Sequence, residues 1–286
     1  MSGNRKFRSA ISYWVYRLGS AWRYYRSAKT RYDLHSPALV SFQQSVLKDM
    51  ADPVLEAFIL DFRRWYAKRN EWIDTPTLGA GSHVKDRSKR RLSELVANSS
   101  IAPGEGRLLA RLARYTEAKT IVELGTNGGV STAYMAYAQS KARVITVEGN
   151  AHLAQSTRES LKHHQLLDRV SLRVGTFREL LPDLLGELDQ IDLLFIDGDH
   201  RYGPTLEYVR MCLPKARRNT VFVIADIRWS AGMERAWKEL TSWPEVSTTV
   251  ATYHFGFLFF NEDMRGLEPI NMIRARWKPW RMGFWG

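Results

Sequence analysis

The stretch TIVELGTNGGVST, residues 120–132, decides the fold. It joins a short apolar run, a turn rich in glycine and a segment with hydroxyl side chains, which predicts a buried strand, a turn and the start of a helix. In this layout, backbone N–H groups and a helix N-terminus face a ligand at close range. Gly125 and Gly129 remove side chains that would obstruct that approach. The stretch therefore predicts a ligand-binding turn at the carboxyl end of a strand.

The acidic residue before the turn indicates the kind of ligand. The spacing is E-x-G-x-x-x-G rather than the G-x-G-x-x-G of dinucleotide-binding folds, which disfavours a nicotinamide oxidoreductase. Glu123, two residues before Gly125, would repel a pyrophosphate. A carboxylate at this position suits a ligand that carries an ammonium group, as S-adenosylmethionine does.

Three further predicted strands are each followed by residues suited to a nucleoside. Glu148 lies 25 residues after Glu123, where nucleotide-binding α/β folds hold the paired ribose hydroxyls. Gly175 to Phe177 follow the third strand and offer a place for an adenine edge, and Asp197 and His200 follow the fourth. Ligands of open parallel sheets bind beyond the carboxyl ends of the strands, so these residues are expected to converge. The three strands are predicted at residues 143–147, 170–174 and 191–196.

Four segments resemble class I S-adenosylmethionine-dependent methyltransferases: VELGTNGGVST, VITVEGN, LLFIDGDHRYGPTLEY and VIADIRWSAGMERAW. The chain is most similar to the catechol-type and macrocin-type O-methyltransferases, in a bacterial branch that also carries a YDLHSP-like segment, here Tyr32 to Pro37. The resemblance covers about residues 30–262. It implies an α/β, Rossmann-like methyltransferase fold with a seven-stranded, mostly parallel sheet, an antiparallel last strand and an N-terminal helical extension.

The strand ends and the resemblance together predict a binding site for S-adenosylmethionine. The candidate residues all lie at one edge of the predicted sheet. They are Glu123, Gly125, Thr126, Asn127, Gly129, Ser131, Glu148, Gly149, Gly175, Thr176, Phe177 and Asp197.

The same edge carries the candidate catalytic and metal-binding residues. His200 is predicted to be the general base with Asp197 as its catalytic partner, because it stands where the catechol-type enzymes carry a lysine base and because histidine is the residue type that exchanges protons near neutral pH. The alternative is that His200 only orients an acid or bonds the following turn. Asp197 and Asp226 are candidate ligands for Mg²⁺, as in related enzymes. Ala225 and Ile227 flank Asp226, however, so the expected acidic or amide pair is broken and few oxygen ligands remain.

The chain is basic in its N-terminal and C-terminal segments and neutral in its centre, and it contains a single cysteine. The net charge is +12: residues 1–118 hold 21 Lys and Arg against 11 Asp and Glu, residues 119–260 hold 16 of each, and residues 261–286 hold 5 against 3. The single cysteine, Cys212, excludes internal disulfides and a thiolate zinc cluster. It predicts a reducing, cytoplasmic location, with peripheral contact to the inner membrane surface as an alternative.

A basic, aromatic segment opens the chain. Residues 4–30 contain seven Lys and Arg and no acid, and apolar residues recur at helical spacing, which predicts an amphipathic helix. Three partners remain open for it: its own domain or a second subunit in a homodimer, an anionic membrane surface, or nucleic acid. The apolar positions are Ile11, Trp14, Val15, Leu18 and Trp22.

Three regions follow from these patterns. Residues 1–102 are predicted to be a basic, aromatic-rich helical extension with a lid or linker at 78–83, residues 103–262 the S-adenosylmethionine-binding domain, and residues 263–286 a basic, aromatic tail. The predicted function is O-methylation of a hydroxyl group on a small-molecule or glycan-like acceptor. The alternative is a non-catalytic protein that keeps the fold and binds a membrane or nucleic acid.

Overall fold

A computed structural model of the chain describes residues 2–75, 89–265 and 267–278, and the side chains of residues 2–12 lie outside this description. The predicted lid or linker at 78–83 and the end of the predicted tail, 279–286, also lie outside the described residues. Within the described ranges, no helix combines the length and apolar character that a bilayer span requires.

The N-terminal extension is mainly helical. Its third helix begins where a helix is expected to begin, because the Asp52 carboxylate accepts a hydrogen bond from the Leu55 N–H and Pro53 needs no partner at the first position. The elements of the extension are α1 (Ser2–Ser27), α2 (Pro37–Phe42), α3 (Pro53–Ala67), the antiparallel pair β1 (Trp72–Asp74) and β2 (Lys89–Arg91), and α4 (Leu92–Ser99).

Strands and helices alternate through the rest of the chain. The central strands are buried along their whole length, which explains their continuous apolar sequences. The elements are α5 (Pro103–Tyr115), β3 (Thr120–Leu124), α6 (Val130–Ala138), β4 (Arg143–Glu148), α7 (Ala151–His163), β5 (Val170–Val174), α8 (Phe177–Gly186), β6 (Leu193–Ile196), α9 (Tyr202–Cys212), β7 (Val221–Ile224), α10 (Ala231–Leu240), β8 (Thr248–Ala251), β9 (Gly256–Phe259) and β10 (Ile270–Asn271).

The main sheet has the strand order β10-β8-β9-β7-β6-β3-β4-β5. Strand β9 pairs antiparallel with β7 and β8 and all other pairs are parallel, which confirms the mostly parallel sheet with an antiparallel last strand for β3 to β9. The sheet differs from the prediction by an eighth strand, because β10 adds a short parallel edge beside β8. The strand order reverses between β3 and β6, and open α/β sheets bind ligands at such a reversal.

The described part of the C-terminal segment runs along the end of α1. Its backbone pairs with the residues that follow the helix: the Lys29 N–H donates to the Asn271 carbonyl at 2.7 Å and the Ile273 N–H donates to the Lys29 carbonyl at 2.9 Å. The buried Tyr24 hydroxyl also donates to the Met272 carbonyl. Residues 271–273 are therefore held against the end of α1.

The extension shares a hydrophobic core with the sheet. The ring of Phe42 lies 5.3 Å from the ring of Phe257 and 5.0 Å from that of Phe259, both edge to face. On α4, Val96 packs so closely on the glycine turn that a Cβ at Gly128 would lie 2.7 Å from its methyl carbons. The extension therefore covers the carboxyl edge of the sheet.

Candidate active site

The glycine turn after β3 is shaped by backbone that approaches it closely. Gly125 has φ +108°, and a Cβ there would lie 2.3 Å from the carbonyl oxygen of Asp197, on the neighbouring strand end. Gly129 has φ +69° and precedes the first residue of α6. Both conformations belong to the region that favours glycine, so the turn depends on these residues.

Beneath this turn, Glu123 is fully buried in a cluster of hydroxyl groups. Its carboxylate accepts hydrogen bonds from Ser131 at 2.5 Å, from Thr146 at 2.7 Å and from Thr132. The Thr126 hydroxyl lies 2.6 Å from that of Thr146 and is buried with it. In this structure the partners of Glu123 are protein hydroxyls, and its contact with an ammonium group of the donor stays a prediction. The side chains of Glu123, Thr126 and Ser131 stabilise the turn from below.

This burial gives a prediction for the pH dependence of stability. Burial raises the pKa of Glu123 to about 7, so the folded protein holds the proton more tightly than the unfolded chain. We expect Glu123 to lower the free energy of unfolding by about 1.4 kcal/mol per pH unit as pH rises between the unfolded and folded pKa values. Urea unfolding of the wild type between pH 5 and pH 7 should contain this contribution to the slope.

The E123Q variant should have a slope smaller than the wild-type slope by about 1.4 kcal/mol per pH unit, because glutamine does not titrate. The other carboxyl groups whose pKa is raised, Asp197, Glu148 and Glu105, contribute to the slope of both proteins. The exposed residue Glu245 supplies the control: E245Q should keep the wild-type slope. Equal pH slopes for E123Q and the wild type would contradict the assignment.

Glu148 and Asn127 form the next part of the site. The Glu148 carboxylate accepts the Asn127 N–H and the Asn150 N–H, each at 2.8 Å, and burial raises its pKa. The Gly175 N–H donates to the Glu148 carbonyl at 3.0 Å. Gly149 lies between Glu148 and Asn150 in the bend that follows β4. Each carboxylate oxygen has a second lone pair, so Glu148 can still accept hydrogen bonds from a ligand.

Thr176 and Phe177 begin α8 at the same edge. The Thr176 hydroxyl caps the helix through a reciprocal pair of bonds with Glu179, so its side chain has a structural role. The Phe177 ring lies over Gly198, where a Cβ would approach it to 2.8 Å, and packs edge to face against Tyr208. Phe177 therefore forms an aromatic wall next to Asp197.

His200 lies between two carboxylates. Its Nε2 atom is 3.8 Å from Oδ1 of Asp197 and 4.0 Å from Oδ2 of Asp226. Burial raises the pKa of Asp197, a shift that His200 opposes and that Asp226 reinforces. The structure thus brings the three candidate catalytic and metal-binding residues into one cluster.

Two residues that the sequence analysis missed complete this cluster. His254 Nδ1 lies 3.5 Å from Oδ1 of Asp226, and its Nε2 lies 3.9 Å from Oε1 of Glu105. The hydrogen bond with Asp226 raises the pKa of His254, and burial raises that of Glu105. Burial alone would raise the pKa of Asp226, but His254 and His200 lower it overall.

The topology of the fold explains why His254 and Glu105 both reach the cluster. Strand β9 is antiparallel to β7, so its first residues lie beside the end of β7 and bring His254 to Asp226. Glu105 lies in the first turn of α5, the helix before β3, whose N-terminus reaches the carboxyl edge. An antiparallel last strand was predicted, and this pairing was the signal that could have identified His254.

The cluster does not match the ligand preference of Mg²⁺. Asp197, His200 and Asp226 offer three ligand atoms within 4.8 Å of one another, but one of them is an imidazole nitrogen. Ile227, which follows Asp226, is fully buried in the core and supplies no oxygen. Mg²⁺ prefers a shell of six oxygens, whereas a mixed carboxylate and imidazole set suits transition metals. The donor set therefore does not fit the predicted Mg²⁺ ion.

A cavity of about 490 Å³ lies beside the cluster and reaches Glu105 and His254. Its walls come from α1, α5, the loop before β9 and the C-terminal segment. They are largely aromatic or apolar and include Tyr24, Leu108, Phe255, Met272 and Trp277.

Comparisons with known proteins agree with this geometry. Residues 122–227 match the family model described as "Methyltransferase domain". The chain is 35% identical over 130 residues to the catechol O-methyltransferase of Niastella koreensis, an alignment covering 45% of this chain and 58% of that protein. It is 30% identical over 161 residues to the catechol O-methyltransferase of Mycobacterium tuberculosis, covering 56% of this chain and 69% of that protein. The chain belongs to the class I S-adenosylmethionine-dependent O-methyltransferases.

A solved structure shows the same fold as this methyltransferase. The O-methyltransferase from Bacillus cereus, in complex with SAH, superposes with a TM-score of 0.52 at 23% identity, covering 77% of this chain and 95% of that one. The curated relatives are matched over only about half to two thirds of their length. The methyltransferase family is therefore established for this chain, and the acceptor is a separate question.

Proposed function

We propose that the protein transfers a methyl group from S-adenosylmethionine to a hydroxyl oxygen of a small molecule that binds in the 490 Å³ cavity. The observation that carries this proposal is the position of His200. It lies between two carboxylates at the carboxyl edge of the sheet, beside the glycine turn and next to residues that line the cavity. The relative from Bacillus cereus was solved with SAH, the product that the donor leaves.

The residues present fit the donor. The turn around Gly125 leaves no room for a side chain, Glu148 keeps free lone pairs for ribose hydroxyls, and Phe177 offers a wall for the adenine. When bound, S-adenosylmethionine supplies an electrophilic methyl group on a positively charged sulfur. The carboxylates of Asp197 and Asp226 give this edge the negative charge that attracts a sulfonium.

In this proposal, His200 is the general base. Its Nε2 atom would accept the proton of the acceptor hydroxyl, and the donor, when bound, would supply the methyl group to that oxygen and leave as SAH. The imidazolium that forms is stabilised by Asp197 and Asp226, both within 4.0 Å of Nε2. Holding the two reactants in line supplies further acceleration.

The cavity indicates the kind of acceptor. Glu105, Leu108 and Arg111 all line it from α5, and Glu105 and Arg111 are about 9 Å apart along the helix, at 1.5 Å per residue. At the far end, among the described residues, three arginines, Arg107, Arg111 and Arg274, face only two carboxylates, Asp49 and Glu56, so one positive charge is left unbalanced. The acceptor is therefore proposed to have an apolar body and a negatively charged group remote from its hydroxyl.

The function is tested first by binding. S-adenosylmethionine at 100 times its dissociation constant should raise the free energy of unfolding by about 2.7 kcal/mol. The E148A variant should lose most of this stabilisation, whereas E159A, at an exposed position on α7, should keep it. Absence of stabilisation in the wild type would contradict the proposal.

Turnover is the second readout. SAH formation is measured with a panel of hydroxylated aromatic acids and their methyl esters. Donor binding without turnover on any member would favour the alternative, a non-catalytic protein that keeps the fold.

A further inference from the structure

One stripe of α1 exposes large apolar side chains. Trp14, Val15, Leu18 and Trp22 have 63%, 64%, 68% and 61% of their surfaces accessible. Trp14, Leu18 and Trp22 are four residues apart in succession, so they follow one line along the helix. A contiguous exposed row that contains two tryptophans is unusual on a protein surface and marks an interaction site.

The opposite face of α1 is anchored on the domain. The Tyr16 hydroxyl donates to Glu234 at 2.9 Å, and Arg23 forms an ion pair with the same carboxylate at 2.9 Å. The guanidinium of Arg17 lies 5.4 Å from the ring centre of Trp229. The helix is therefore held in place, and the orientation of the exposed stripe is set by these contacts.

The segment that carries the stripe has a net positive charge. Residues 1–30 contain seven Lys and Arg and no Asp or Glu. Arg26 is exposed one turn beyond Trp22. Tryptophan and basic side chains together suit the headgroup region of an anionic bilayer, where the rings enter the interface and the cations meet lipid phosphates.

The stripe continues to the mouth of the cavity. The ring of Trp22 stacks on that of Tyr25 with an interplanar angle of 21°, and the Tyr25 hydroxyl donates to the Trp277 carbonyl at 2.9 Å. Tyr25 and Trp277 both line the cavity, and Trp277 is 59% exposed. A surface bound to the stripe would therefore lie next to the cavity entrance.

We propose that the outward stripe of α1 docks the protein on an anionic lipid surface. A second copy is a poorer occupant, because two basic helices without acids would repel each other. Nucleic acid is also poorer, because its phosphates would face the apolar stripe. The docking does not depend on methyl transfer, although it places the cavity where amphiphilic acceptors collect.

Sedimentation of the full chain with lipid vesicles tests this inference. Vesicles of phosphatidylcholine with 30% phosphatidylglycerol should bind the protein, and pure phosphatidylcholine should bind it at least about tenfold more weakly. The double variant L18S/W22S should lose at least about tenfold in partitioning. Leu60, an exposed leucine on α3, supplies the control: L60S should bind like the wild type.

Further measurements test whether the variants fold and whether a second copy or nucleic acid binds the stripe instead. Thermal shift with S-adenosylmethionine shows whether each variant is folded, independently of lipid. The inference is overturned if the wild type does not bind anionic vesicles, or if L18S/W22S binds as well as L60S. It is also overturned if sizing shows a dimer that L18S/W22S abolishes, or if short duplex DNA binds more tightly than vesicles at the same salt concentration.

Discussion

Replacement of His200 by glutamine is expected to lower kcat by about 100- to 10,000-fold, the contribution of a positioned general base. Glutamine occupies a similar volume between Asp197 and Asp226 but cannot accept the hydroxyl proton. The affinity for S-adenosylmethionine should change little, because the glycine turn and Glu148 are untouched. Single-turnover assays and calorimetry measure the two quantities separately.

The matched control is His163 on α7, which is exposed. H163Q should retain wild-type kcat, since it alters no group of the cluster. An unchanged kcat in H200Q would contradict the assignment of His200 as the base. Treatment of the wild type with EDTA tests whether a metal is needed: a loss of activity that Mn²⁺ restores in the wild type but not in H200Q would indicate that His200 is a metal ligand.

Substitution of Gly125 by alanine is expected to lower the free energy of unfolding by about 2–5 kcal/mol and to remove measurable binding of S-adenosylmethionine. The added Cβ would lie 2.3 Å from the carbonyl oxygen of Asp197, and φ +108° is a strained conformation for alanine. The two strand ends would have to separate, which disrupts the donor site. Urea unfolding and calorimetry give the two readouts.

Gly203 in α9 is the control for this prediction. A Cβ there meets nothing within 4 Å, and its φ lies outside the region reserved for glycine. Alanine at a compatible helical position should stabilise the fold by about 0.4–1 kcal/mol. If G125A matched G203A in stability and donor affinity, the close packing of the turn would not be what forms the site.

The central part of the fold was predictable because its strands are buried on both faces. Apolar runs such as those of β3 and β6 leave little ambiguity, and each ends in a residue with a chemical role. The antiparallel position of β9 was also predicted correctly. The edge strand β10 was missed, since its two residues carry no periodicity and depend on β8 for their hydrogen bonds.

The places of the site residues at the strand ends were predictable, but the directions of their side chains were not. Strand order brings the ends of β3, β4 and β6 together, so Glu148, Asp197 and His200 could be placed from sequence position alone. The direction of a side chain depends on its neighbours in space. Glu123 turns inward because hydroxyls on α6 and β4 surround it, and Glu105 arrives from a helix outside the motif.

The pairing of Lys29 with Met272 has a consequence for biosynthesis. Tyr24 of α1 lines the cavity, and so do Met272 and Trp277 of the C-terminal segment. A nascent chain contains the residues proposed to bind the methyl donor before it contains Met272 and Trp277, which line the proposed acceptor cavity. A growing chain is therefore expected to acquire donor binding before acceptor binding.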